Sequence, residues 1–294
     1  MPPVRDPTFL AYSAAQAAAY AKSRMAYPRR LYDYILEYHG AGATTKLGTL
    51  LDVGCGPGNS TREFAPRFHK AVAIDGSAAM IEEARRLSTL PIQFECKTGE
   101  QCADVVDDES VDVLTSAMAA HWLDMDAFWP AVARVLKPGG TVAIWFVYAM
   151  KCHPSTPNAP QIEAVLQDLD SRVLLDYQQP GNKLVMNGYR DLELPWTIAK
   201  PVQAFDKSSF QRKEWDKDED GDFFGGQRTS SLEEVAAALS TTSAVTRWRE
   251  ANAGSGAEDC VEAAVAKIRR LLGSQHDYIT WGGPTTMLLF KKKK

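Results

Sequence analysis

From Thr49 onward, short apolar runs alternate with stretches whose apolar residues recur at helical spacing. The runs predict strands at Thr49–Val53, Ala71–Asp75, Ile92–Cys96, Val111–Thr115 and Thr141–Val147. The stretches between them predict helices over 60–68, 77–87 and about 126–137. Strands alternating with helices imply a parallel sheet with helices on both faces. Pro130 falls inside the last helical pattern and should kink it unless the helix starts late. Upstream, an alanine-rich run precedes Leu31, Ile35 and Tyr38 at helical spacing, so residues 12–38 read as one or two helices. Gly40–Thr45 is a linker of small residues. Past Val147 the alternation stops. Three prolines fall within 153–160, and the region to about 230 mixes helix, turn and charge signals. Lys213–Gly221 reads as a strand end followed by a solvated acidic turn. Helical spacing returns at 231–239 and 261–272, and Thr285–Phe290 is the last strand.

Composition narrows the class. The 294 residues are 45% hydrophobic, enough for a packed core and too many for a disordered chain. With 33 basic against 37 acidic residues and a net charge of -4, the chain has no electrostatic footprint for a nucleic-acid backbone. The basic run Lys291–Lys294 reads as a solvated end. Five cysteines (Cys55, Cys96, Cys102, Cys152, Cys260) lack CxxC or zinc spacing, so neither a disulfide framework nor a metal site is expected. Met1–Asp6 carries no apolar signal region, and no stretch approaches transmembrane length. The expectation is a cytoplasmic protein without membrane or nucleic-acid partners, monomeric or weakly dimeric.

Leu51-Asp-Val-Gly-Cys-Gly-Pro-Gly-Asn-Ser-Thr carries the chemistry. A strand runs into Gly54, Cys55, Gly56, Pro57 and Gly58, and a helix is expected to begin near Ser60, whose spacing to Glu63 suits a capping box. Glycines at such a bend let backbone approach a ligand too closely for any side chain. The ligand then lies outside the carboxyl ends of the strands. A dinucleotide site calls for G-x-G-x-x-G with a helix N-terminus aimed at a pyrophosphate. Here the spacing is G-x-G-x-G, and Asp52 stands two residues before the first glycine. A buried carboxylate there would repel a pyrophosphate and suit a ligand bearing an ammonium and a sulfonium, which favours S-adenosylmethionine (SAM) over NAD. Asp75, at the end of the second strand, can accept both ribose hydroxyls; its alternative is to cap the next helix, although Ser77 is better placed for that.

Asp52-Val-Gly-Cys-Gly-Pro-Gly, Asp75 and Arg134-Val-Leu-Lys-Pro-Gly-Gly together resemble the class I SAM-dependent methyltransferases. Ala119-Ala-His-Trp-Leu-Asp, Gly188-Tyr-Arg-Asp-Leu-Glu-Leu-Pro-Trp and Leu239-Ser-Thr-Thr-Ser-Ala-Val-Thr-Arg-Trp resemble the trans-aconitate methyltransferase-like group, particularly its fungal members. The resemblance implies a doubly wound, mainly parallel, seven-stranded Rossmann-like α/β sheet with N-terminal helices and a substrate-cap insertion. The corresponding divisions are 1–46 (helical lid), 47–150 (SAM-binding core), 151–235 (cap) and 236–294 (completion of the core). It also implies that Gly54, Cys55 and Gly56 face the methionine part of SAM, with Asp75 on the ribose. Thr98, Gly99 and Glu100 stand where the family places adenine contacts, and Ala117 and Met118 where a backbone carbonyl meets the methionine amino group. Tyr20-x-x-x-Arg24-x-x-Tyr27-Pro28 resembles the family's lid, with Arg24 for the methionine carboxylate and Tyr20 closing over the sulfonium. The alternatives there are a surface arginine and a core tyrosine.

Methyl transfer is an in-line displacement, and the protein's main task is to hold the reacting atoms about 3–3.5 Å apart. A carboxylate acceptor is already ionised, whereas a phenol, alcohol, thiol or amine benefits from a base. His121 is the base candidate beside the cofactor; the alternative is a hydrogen-bonded histidine that shapes the pocket next to Trp122. Trp122, Tyr148 and Tyr189 are the expected substrate contacts. Tyr177, Trp196 and Trp248 offer further aromatic walls, each with a core role as its alternative. Arg190, Arg228 and Arg247 could anchor acidic groups or simply lie at the surface. The leading expectation is methyl transfer to a carboxylate oxygen of a small molecule. Competing readings are S-, N- or phenol O-methylation, a SAM-binding protein without transfer, and a nucleotide-dependent oxidoreductase.

Overall fold

Side chains alternate between the two faces of a strand, and this alternation sorts the central sheet into two cores. The computed structural model describes residues 7–42, 45–274 and 276–294. The Met1–Asp6 start and part of the expected 40–45 linker therefore lie outside the described residues. The first half of the chain forms β1 (Leu47–Val53), β2 (Phe68–Asp75), β3 (Ile92–Cys96), β4 (Val111–Ala117) and β5 (Leu136–Val147). The second half adds β6 (Lys151–Cys152), β7 (Phe205–Trp215), β8 (Gln227–Ser231), β9 (Tyr278–Gly282) and β10 (Thr285–Lys292). Seven of them form one sheet in the order β3-β2-β1-β4-β5-β10-β7, parallel except that β10 runs antiparallel to both its neighbours. The doubly wound seven-stranded fold is thus present.

Helices α1 (Pro7–Leu10), α2 (Ala14–Ser23) and α3 (Arg29–His39) precede the sheet. Leu31, Ile35 and Leu36 of α3 pack with Leu50, Val113, Ala143, Trp145, Met287 and Leu289 on one face. The next residues along the same strands, Leu51, Leu114, Ile144, Phe146, Leu288 and Phe290, face the opposite core. Following α4 (Asn59–Phe64) and α5 (Ala78–Leu87), that second core is covered by α6 (Met125–Val135).

Pro130 lies inside α6 without ending it. Phe128, Trp129, Val132 and Val135 on this helix are fully buried. Burial of each stabilises by roughly 1.5–3 kcal/mol, against about 3 kcal/mol for an interior proline. The helix expected over 60–68 is shorter, ending at Phe64 and followed by a 3-10 turn at Ala65–Arg67. Pro66 has no N–H with which to continue it.

The rest of the second half does not divide at 235. β7, within 151–235, is the outer strand of the main sheet, paired antiparallel with β10. Conversely, helices α9 (Leu232–Ser240), α10 (Ser243–Ala251) and α11 (Cys260–Leu272) join α7 (Ala159–Asp168) and α8 (Pro180–Met186) in a helical cap. Ile162 and Leu166 of α7 pack with Leu232, Val235 and Ile268 over the small antiparallel sheet β6-β9-β8. Among the described residues, no helix is long and apolar enough to cross a membrane.

Candidate active site

The bend after β1 is built by backbone that only glycine adopts without strain. Gly54, Gly56 and Gly58 have φ of 69°, 53° and 76°. A Cβ on Gly54 would stand 2.3 Å from the Cβ of Ala119, whereas one on Gly56 would meet nothing within 4 Å. The side-chain position of the first glycine is thus filled by protein, and that of the second opens onto a cavity. The N–H groups of Gly54 and Cys55 both donate to the carbonyl of Ile74, at 2.8 and 3.0 Å. Gly56 donates to Asp75 Oδ2 at 2.9 Å. Gly58, in its left-handed conformation, turns the chain into α4 directly, and the helix carries no side-chain cap. The Ser60–Glu63 capping box is therefore not formed; Ser60 lies inside the helix and its hydroxyl accepts from Tyr32 instead.

Two carboxylates flank the bend. Asp52 is 1% exposed and accepts from the hydroxyls of Thr61 at 2.5 Å and Thr115 at 2.7 Å. Burial pushes its carboxyl up to about 6, with the two hydroxyls pulling the other way. Asp75 accepts from Ser77 N–H at 2.8 Å as well as from Gly56, and burial raises its carboxyl despite these donors. Ser77 meanwhile caps α5 through Met80 N–H, as its position predicted.

Bend and carboxylates open on a cavity of about 760 Å³ that extends beneath the cap. Tyr20, Arg24, Asp52, Gly54, Cys55, Gly56, Asp75, Thr98, Gly99, Glu100, Ala117 and Met118 all line it, as do His121, Trp122 and Tyr148. Arg24 lies 4.4 Å from the Tyr20 ring centre, and its Nε is buried without a hydrogen-bond partner. Thr98 starts a 3-10 turn over Gly99–Asp104, and Glu100 accepts from Asp124 N–H at 2.8 Å. Met118 and Ala149, just past the paired ends of β4 and β5, both hold φ of 55°, a conformation that costs a non-glycine residue on the order of 1–3 kcal/mol and clusters at functional sites.

Tyr189 is the exception among the expected contacts. It is 2% exposed and absent from the cavity wall, packed against Phe146 at 4.2 Å between ring centres. It reaches the site indirectly, through a 2.5 Å hydrogen bond between its hydroxyl and His121 Nδ1. Tyr177, Trp196 and Trp248 also pack in hydrophobic clusters away from the cavity. None of the three candidate anchoring arginines lines it either. Arg190 pairs with Glu214 at 3.6 Å, Arg228 with Glu234 at 3.3 Å, and Arg247 donates to the carbonyl of Tyr177 and to Asn182.

Sequence reasoning missed the cap side of the wall. Glu163, Leu166, Gln167 and Asp170 line it from α7 and the π-helical turn Leu169–Val173 that follows, joined by Asn182 and Ser243. Their spacing of three and four marks one helical face, the signal that was available. Among the described residues, no group of three or more His, Cys, Asp and Glu side chains is placed to hold a metal ion.

A family model described as a methyltransferase domain matches residues 51–144, which run from the bend through β5. A probable S-adenosylmethionine-dependent methyltransferase of Saccharomyces cerevisiae is 35% identical over 45% of this chain and 45% of its own length, so the chain matches about half of that relative. A methyltransferase of Aspergillus candidus is 27% identical over 97% of both chains. A solved structure from Anaeromyxobacter dehalogenans, a presumed type II methyltransferase, superposes with a TM-score of 0.67 at 24% identity, covering 91% of this chain and 97% of that one; this likeness concerns the fold. Domain match, strand order and glycine bend agree on a methyltransferase domain over residues 51–144, with the bend at its start.

Proposed function

We propose that the protein transfers a methyl group from SAM to a small organic molecule held between the glycine bend and the helical cap. One observation carries this reading: a single cavity joins the two. Its volume of about 760 Å³ lies in the range of small-molecule sites. The residues present fit the cofactor, since Gly56 leaves open the space that a Cβ would fill and Arg24 keeps a buried donor unused. Arg24 would hold the methionine carboxylate, Asp75 the ribose hydroxyls, and the Thr98–Glu100 turn the adenine. The backbone at Gly54–Gly56 and at Ala117–Met118 would frame the methionine part. Asp52 supplies negative charge beneath the bend, favourable to a sulfonium and an ammonium. When bound, SAM supplies an electrophilic methyl group on a cationic sulfur.

Trp122 and Tyr148 give the acceptor apolar walls, and a bound acceptor that displaces water beneath the cap would strengthen every charge interaction inside. Where the acceptor atom carries a proton, His121 is the group to receive it. Tyr189 acts through His121 as a positioning residue, fixing the ring at Nδ1. A carboxylate acceptor of the trans-aconitate kind would need cationic anchors. Among the described residues, the cap side of the wall offers Lys151 alone, already paired with Asp216 at 2.7 Å.

The test is incubation with SAM carrying a labelled methyl group against matched amines, alcohols, phenols, thiols and acids, with mass spectrometry of the products. Label is expected in a small-molecule product. Tight binding of SAM with no labelled product across the panel would leave a binding protein, and no binding of SAM would end the proposal.

A further inference from the structure

The cavity wall carries seven formally charged residues: Arg24, Asp52, Asp75, Glu100, Lys151, Glu163 and Asp170. Four of them surround the bend and belong to the cofactor side. Of the remaining three on the cap side, two are already neutralised. Lys151 pairs with Asp216 at 2.7 Å, and Glu163 accepts from Lys217 at 2.8 Å. Asp170 has neither an ion pair nor a hydrogen bond among the described residues.

Its placement is local in origin. The helix α7 ends at Asp168 and continues through a π-helical turn, Leu169–Val173, in which Leu169 is buried in the cap and Asp170 is accessible from the cavity. Such single π turns recur at functional sites because they re-aim one side chain without breaking the helix. Although Asp170 is exposed to the cavity, the protein around it lifts its carboxyl to about 6, with no neighbouring charge contributing. Among the described residues no cation pairs with this carboxylate, so a ligand's positive charge would meet it without competition.

Building on the proposed function, we infer that the acceptor carries a cationic nitrogen, paired with Asp170, on an apolar body that fills the cap side of the cavity. The same charge count disfavours anionic acceptors, which on the cap side would meet an uncompensated carboxylate and, among the described residues, no free cation. The inference concerns recognition, and leaves open which atom of the acceptor is methylated.

The experiment uses the full chain saturated with S-adenosylhomocysteine and three probes of one shape: 2-phenylethylamine, 2-phenylethanol and 3-phenylpropionate, titrated by calorimetry. A charge-assisted contact predicts that the amine binds at least about tenfold tighter than either of the others. In Asp170→Asn that advantage should shrink to within about threefold, Asp170→Glu should keep the order, and affinity for S-adenosylhomocysteine should not change. Absence of amine binding, an acid that binds as tightly, or an amine preference that survives Asp170→Asn would overturn the inference. So would a loss of S-adenosylhomocysteine affinity in Asp170→Asn, which would move this carboxylate to the cofactor. If the wild-type chain does not bind S-adenosylhomocysteine at all, the proposed function itself fails and this inference with it.

Discussion

Gly54 and Gly56 share one motif and nearly one backbone conformation, yet alanine should damage them in different ways. At Gly54 the new methyl would lie 2.3 Å from the Cβ of Ala119, an atom fixed to the backbone that no rotamer change can move. Relieving such overpacking costs roughly 1–3 kcal/mol. Holding alanine at φ 69° adds roughly 1–2 kcal/mol. The sum, about 2–5 kcal/mol, corresponds to a fall in melting temperature of roughly 3–8 °C at this chain length. At Gly56 nothing lies within 4 Å, so Gly56→Ala bears only the conformational cost, about 1–2 kcal/mol, and should melt within a few degrees of wild type. Its methyl enters the cradle instead, and affinity for S-adenosylhomocysteine should fall by at least about tenfold, or 1.4 kcal/mol. Thermal unfolding paired with calorimetry separates the two. A Gly54→Ala variant as stable as wild type, or a Gly56→Ala variant with undiminished affinity, would refute the assignment of one glycine to packing and the other to the ligand.

Three further outcomes are expected. Burial lifts Asp52 from 3.8 to about 6, so the folded apoprotein holds a proton that the unfolded chain releases. This contribution to stability is full below about pH 3.8 and is lost as pH rises to about 6, by up to about 3 kcal/mol. Asp52→Asn should flatten that fall in urea unfolding between these limits, and an unchanged slope would remove Asp52 as its source. Arg24→Leu should weaken S-adenosylhomocysteine binding by about tenfold to a hundredfold, the worth of a charge-assisted contact. Arg24→Lys should recover only part of it, and wild-type affinity in both would return Arg24 to a structural role. Tyr189→Phe, assayed with the first acceptor found to take label, should change turnover and its pH profile while KM stays constant. A rise in KM alone would restore Tyr189 as a substrate contact.

The parts of the site that were legible in the sequence are those fixed by neighbouring residues. The bend needs glycine at positive φ, the apolar runs leading into it need period two, and Ser77 needs only its own helix to act as a cap. All of this is written within a few residues. Ser60 shows the limit of such reading: its spacing suits a capping box, but Gly58 enters the helix without one and Tyr32, 28 positions away, takes the hydroxyl. Tyr189 is a similar case, since an aromatic in the right region can face a ligand or a core, and only packing against Phe146 decides. Asp170 was overlooked because its importance is an absence, the lack of any cation opposite it, and that depends on which elements converge from across the chain. The 151–235 division failed for the same reason: β7 joins the main sheet through β10, about 80 residues downstream.

That last pairing constrains how the chain can be made. Because β10 (Thr285–Lys292) is wedged between β5 and β7, the sheet cannot close until that segment has left the ribosome. Throughout synthesis, β5 must wait with the apolar row Val142–Phe146 along an open hydrogen-bonding edge, the kind of surface that invites pairing with another nascent chain. A ribosome stalled shortly before residue 285 would display an edge primed for aggregation, and chaperone demand during biosynthesis should peak there.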